Sequence, residues 1–164
     1  MELHRTTAKT LESKRPSYFF PALKTIVTEY NDDYPTCSST YATLRVYFGA
    51  ISPDEISSRL NLEPSRTQFA EVRGPGIMDV PAGWFLTSEG AVDSNDVRRH
   101  LDWLLHQIAD KSSVFDSLRS AGVSIDVFCY WLSASGHGGP TLSPTQMSVL
   151  ASLGLDVGFD VYGT

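Results

Sequence analysis

Two short stretches constrain this chain more than anything else in it: "ISPDEI" at residues 51–56 and "LSPTQM" at residues 142–147. Each places a serine at an N-cap and a proline at the first helical position, and Glu55 or Gln146 three residues after the serine. The serine oxygen accepts from a free first-turn amide. Proline has no amide to leave unpaired there, and the third-position side chain can bond back to the cap. Each stretch therefore predicts a helix start.

Both starts follow a strand pattern. In "TLRVYF", Leu44, Val46 and Phe48 alternate with Arg45 and Tyr47, as in a half-buried strand. Ile56, Leu60 and Leu62 then form the apolar side of a short helix closed by Pro64. "VSIDVFCYWL" precedes the second start, and Met147, Leu150 and Leu153 give its helix a stripe that stops at Gly154. "LDVGFDVY" follows, with Leu155, Val157, Phe159 and Val161 inward and Asp156, Asp160 and Tyr162 outward. These are two β-α-β-like halves. A structural repeat and a chance recurrence of a common capping signal both satisfy the residues.

Between the halves, "SRTQFAEV" and "GWFLTS" read as strands, joined by the loop "RGPGIMDVPAG". "DSNDVRRHLDWLLHQIAD" is the strongest helix: Val97, Leu101, Leu104, Leu105 and Ile108 form one stripe, with Asp93 or Ser94 as cap. "VFDSLRSAG" adds a short helix ending at Gly122. The order predicts an α+β ferredoxin-like sandwich, a mainly antiparallel sheet with helices on one face. Residues 1–40, rich in Thr, Ser, Lys and Pro, read as a partly flexible extension, and the α+β domain as residues 41–164. Within the extension, "SYFFPALKTIVTEY" is apolar but interrupted by Pro21, which suits a strand or short helix on the domain edge.

Charge narrows the partners. The formal net charge is −6, but residues 1–24 hold five bases against two acids. From Ser120 to Thr164 there is no Lys or Arg. Such a surface repels a phosphate backbone, so nucleic acid is not an expected partner. Apolar runs are too short for a membrane span, and Arg5, Lys9, Lys14 and Arg15 are followed by no secretory core, so the expected location is the cytoplasm. Cys37 and Cys129 form no CxxC pair. Cys129 suits a small core hydrophobe, and a bond to Cys37 stays open.

The order "ATLRVYF…SPDEISSRLNLEPSRT", "GWFLTSE", "VRRHLDWLLHQI", "LSPTQMSVLASLGLDVGFDVYG" resembles the DUF4279 family, a domain of unknown function found mostly in bacteria. The similarity covers about residues 41–163. The family carries no accepted active-site residues to transfer, and no cofactor is expected.

Two constellations remain. If Val127, Cys129 and Trp131 point inward, the uncovered sheet face collects Arg45, Tyr47, Asp126, Phe128, Tyr130, Leu132, Asp156, Asp160 and Tyr162. Aromatic rings with a lone arginine among acids suit a protein partner or a second copy, with Arg45, Tyr47, Phe128, Tyr130 and Tyr162 as its contact residues. An acidic, catalytically silent immunity-type protein is one concrete form. The alternative is a small-ligand binder or hydrolase-like enzyme built on "GHGG", which is similar to an esterase oxyanion loop. It would use His137 with Arg66, Trp84 and Trp131, although no G-x-S-x-G elbow is present. No metal is expected. His100 and His106 are six apart, about 120° around a helix, with no carboxylate or Cys at ligand spacing.

Overall fold

The computed structural model describes residues 29–163. The strand or short helix expected within residues 17–30 lies outside them, apart from Glu29 and Tyr30, which belong to no element. The elements are β1 (Cys37–Phe48), α1 (Pro53–Leu60), β2 (Arg66–Gln68), β3 (Ala82–Thr87), α2 (Val97–Ile108), α3 (Ser112–Ser120), β4 (Ser124–Ser133), α4 (Pro144–Ser152) and β5 (Asp156–Tyr162). They build an α+β domain with one open five-stranded sheet, ordered β2-β3-β1-β4-β5. All neighbours are antiparallel except the parallel pair β4–β5.

Both Ser-Pro signals start helices. Ser52 Oγ accepts from the Glu55 amide, but the Glu55 carboxylate turns to Arg59 instead of the cap. Ser143 and Gln146 close the full reciprocal box, at 3.2 and 2.9 Å. The two halves share this order but not their strand adjacency. β3 inserts between β1 and β2, whereas β4 and β5 are direct neighbours.

The helices share one face of the sheet. Ala42, Leu44 and Val46 of β1, Trp84 and Leu86 of β3, and Ile125, Val127, Cys129 and Trp131 of β4 form the core with Ile56, Leu60, Leu101, Leu104, Ile108, Phe115, Leu118 and Leu150. The expected inward set on β4 is therefore observed. Cys37 and Cys129 are both free and buried, and burial pushes the Cys129 thiol up to about 12. It behaves as an inert hydrophobe. No described helix is long and apolar enough to cross a membrane.

Several expected boundaries move. β1 begins at Cys37, ahead of Tyr41, and "SRTQFAEV" yields a strand of only Arg66–Gln68. α1 stops at Asn61, whose left-handed backbone (φ 51°) caps it before Pro64 is reached. α2 is capped by Asp96, not by Asp93 or Ser94, because the Asp96 carboxylate reaches the Arg98 amide at 3.0 Å. On α4, Met147 is 51% exposed and Gln146 is buried in its place. The rotation follows from bonding: Gln146 Nε2 donates to the Arg98 carbonyl at 2.7 Å and to Asp102 Oδ1 at 2.8 Å. The capping glutamine thus also latches α4 onto α2. Leu155, just before β5, is buried, but Phe159 and Val161 are not: the nine residues of α4 reach only about 14 Å, less than the length of the seven-residue strand.

Candidate functional site

The uncovered sheet face is organised in rows across the strands. One row runs Arg66, Phe85, Arg45, Asp126, Asp156, from β2 to β5. It is cationic at one end and anionic at the other. Arg45 joins the halves by a bidentate pair: Nε and Nη2 donate to the two Asp126 carboxylate oxygens, each at 2.7 Å. Its guanidinium also stands 4.0 Å over the Phe128 ring. The bond to Asp126 raises the Arg45 pKa despite partial burial, so its charge is fixed across any working pH. Arg66 covers Phe85 in the same way at 4.0 Å, and Tyr47 meets the Phe85 ring edge-on at 5.6 Å. Such contacts hold flat side chains in one orientation on an otherwise open surface.

The next rows are aromatic. Tyr41 stacks on Tyr130 at 4.9 Å with planes 10° apart, and Tyr130 meets Tyr162 at 5.4 Å. The Tyr162 hydroxyl donates to Asp160 at 2.8 Å, which raises its pKa. Burial, then the charge of Glu89, pushes the Tyr41 phenol up as well. Two glycines make room for rings. A Cβ on Gly83 would lie 2.4 Å from Phe85, and one on Gly158 would lie 2.7 Å from Phe128. Each phenylalanine lies across a glycine of the sheet, so its ring packs flat.

All five expected contact residues, Arg45, Tyr47, Phe128, Tyr130 and Tyr162, therefore share this face. Tyr41, Phe85 and Arg66 complete it. Tyr41 was legible as part of the same alternation, two residues before Thr43 and four before Arg45. Phe85 was not, because "GWFLT" is apolar throughout.

The second expected set is not brought together. Arg66 lies on the open face, while Trp84 and Trp131 are buried on the helix side. Trp84 Nε1 donates to Ser57 Oγ on α1 at 3.0 Å. Trp131 packs edge-on against Tyr34 at 5.5 Å, and its Nε1 has no partner among the described residues. His137 is exposed, and among the described residues its ring bonds only Ser135 of the same loop. Gly138 has φ 87°, and a Cβ there would lie 2.5 Å from Thr36 Oγ1. Close packing of a tight turn explains this glycine without a ligand.

Other polar groups are structural. His100 is buried, with Nε2 donating to the Ser94 carbonyl at 2.9 Å and Nδ1 accepting from Ser88 Oγ at 2.8 Å. Both bonds suit a neutral ring, and burial lowers its pKa. The unfolded imidazole takes up a proton below about pH 6.5, while the native one resists. Stability is therefore expected to fall as pH drops from 7 to 5, against the opposing pull of the Ser94 carbonyl, Asp96 and Asp32 and with that of Arg99. Urea unfolding at pH 7, 6 and 5 checks this. The slope should shrink in His100→Gln, and an equal slope in both proteins would overturn it. Among the described residues no group of three His, Cys, Asp or Glu side chains could hold a metal ion.

A different exposed feature projects from the β2 edge. The connection between β2 and β3 carries Phe69, Val72, Ile77 and Met78, all 60–88% exposed, on an arm pinned by the Glu71–Val80 bridge.

No curated protein and no solved structure matches the chain. One family's model does, that of a domain of unknown function (DUF4279), over residues 38–164. The match takes in every strand and helix described above except the first residue of β1, so the chain belongs to the DUF4279 family.

Proposed function

We propose that this protein is a non-enzymatic binding module that recognises another protein, or a second copy of itself, through the open face of its sheet. One observation carries this: Tyr41, Tyr47, Phe128, Tyr130, Tyr162 and Arg45 are held in fixed contact on a face that no described helix covers. Aromatic rings and arginine held rigidly lose little entropy on binding, which is why they dominate protein interfaces. The strand order β2-β3-β1-β4, antiparallel throughout, supports a ferredoxin-like core to which β5 is an addition.

Charge supports a basic partner. Asp156 and Asp160 lie on the β4–β5 side, where no Lys or Arg occurs from Ser120 to Thr164, while Asp126 beside them is already paired with Arg45. An immunity-type role, in which a cytoplasmic acidic protein captures and silences a cationic one, fits that surface. Nucleic acid does not, because the same acids repel phosphate.

The test is affinity capture from host lysate with the wild type and with Tyr41→Ser/Tyr130→Ser, alongside sedimentation of each. A stoichiometric protein partner, or a self-dimer, is expected for the wild type. Loss of the Tyr41–Tyr130 stack should weaken it at least about tenfold, as for a hot-spot pair. Undiminished affinity in a folded double variant would remove the sheet face from the binding surface.

A further inference from the structure

The far edge of the sheet carries a second unpartnered surface, on the helix side. β5 is paired only with β4, so its other edge has no strand partner among the described residues. Phe159 and Val161 stand in register with Cys129 and Trp131 and so face the helix side, yet they are 38% and 53% exposed. With Met147 of α4 they extend the open groove of about 500 Å³ lined by Leu142, Leu150, Leu155 and Val157. A bare strand edge flanked by apolar side chains is a template for pairing.

We propose that residues 18–27 of the same chain dock on this α4–β5 edge and cover Met147, Phe159 and Val161. Three observations single out this occupant. The first is where the described chain begins. The Glu29 carbonyl accepts from Arg98 Nη2 at 3.1 Å, and the Tyr30 hydroxyl donates to Asp102 Oδ2 at 2.6 Å. Asp102 Oδ1 is the oxygen that accepts from Gln146 of α4. The preceding residues thus start from the seam of α2 and α4, and Met147 is the neighbour of Gln146. Ten residues of extended chain span roughly 33–36 Å, ample to follow a seven-residue strand.

The second is composition. "YFFPALKTIV" offers Tyr18, Phe19, Phe20, Leu23, Ile26 and Val27, the apolar side chains such a groove takes up. The third is charge. The docked segment carries one base, Lys24, and no acid, and the edge it would meet lies within Ser120–Thr164, which holds no Lys or Arg. A second copy pairing β5 with β5 antiparallel about Gly158 would instead set Asp156 of each copy opposite Asp160 of the other, which costs energy. This docking is independent of what binds the open face.

The test uses the full chain. Hydrogen exchange of residues Asp156–Tyr162 is compared between the wild type and Phe19→Asp/Phe20→Asp. The variant should exchange at least about tenfold faster there, with α2 and β1 unchanged. A photo-crosslinker at position 159 should capture residues 18–27 within one chain. Unchanged exchange, capture of a second copy, or capture of any other segment would each overturn the proposal.

Discussion

Replacing Asp96 by alanine is expected to lower the unfolding free energy by about 2–4 kcal/mol, counting a lost N-cap and an orphaned buried amide. Asp96 is 1% exposed, and three separate groups depend on it. Its Oδ1 caps α2 through the Arg98 amide at 3.0 Å, and its Oδ2 accepts from the Asn31 amide at 2.9 Å. Both oxygens also accept from the Arg98 guanidinium. Burial alone would raise the carboxyl pKa. The Arg98 guanidinium and the Asn31 and Arg98 amides outweigh it and hold the group below its ordinary value. The stabilisation is therefore present above the unfolded pKa near 3.8 and is lost as pH falls through the lower native value.

Denaturant titration of wild type, Asp96→Ala and Asp96→Asn at pH 7 checks this. Asparagine keeps a capping oxygen but not the charge, so it should fall between the other two. A loss below about 1 kcal/mol for alanine would mean that the segment from Glu29 to Asp33 finds other partners. The result also bears on the α4–β5 edge, because Asp96 and Arg98 fix where the preceding residues start.

What the sequence made legible, and what it hid, follows from how local each signal is. Ser52 and Ser143 act within their own first turn, so the helix starts at Pro53 and Pro144 were readable. The alternation of β1 and β4 assigned Arg45, Tyr47, Phe128 and Tyr130 to one face because side-chain direction has a strict period of two. β2 is too short to show any period. The cap of α2 was ambiguous because Asp93, Ser94 and Asp96 are all good acceptors within four residues, and only the packing of Asn31 and Arg98 selects the last. Met147 and Gln146 traded places for a reason outside α4 altogether, the Asp102 carboxylate on a neighbouring helix. Alternation also gave the direction of Phe159 and Val161 correctly but not their exposure, since a period says which way a side chain points and not whether anything lies there. The glycines of β3 and β5 were silent in the sequence because their partners, Phe85 and Phe128, are known only once rings are placed.

Gly83→Ala is expected to cost about 1–3 kcal/mol, the usual range for overpacking a well-filled site. The new methyl would sit 2.4 Å from Phe85 Cζ and 2.6 Å from Cε2, so the ring must move. It is poorly placed to do so. Phe85 is 2% exposed, with the Arg66 guanidinium over one face and Tyr47 against it edge-on. Swinging the ring outward gives up both contacts and disturbs Tyr47, which belongs to the proposed binding surface. A double-mutant cycle isolates the cause. In a Phe85→Leu background the methyl meets a smaller, more adaptable side chain, and Gly83→Ala should be nearly neutral, leaving a coupling of about 1–2 kcal/mol. Equal costs in both backgrounds would show that the ring is not what the glycine accommodates. If the coupling is found, the open face behaves as one mechanical unit. Gly83→Ala should then weaken partner binding although position 83 is buried beneath the rings, and binding should recover when Phe85 is made smaller, so far as Phe85 is not itself a contact.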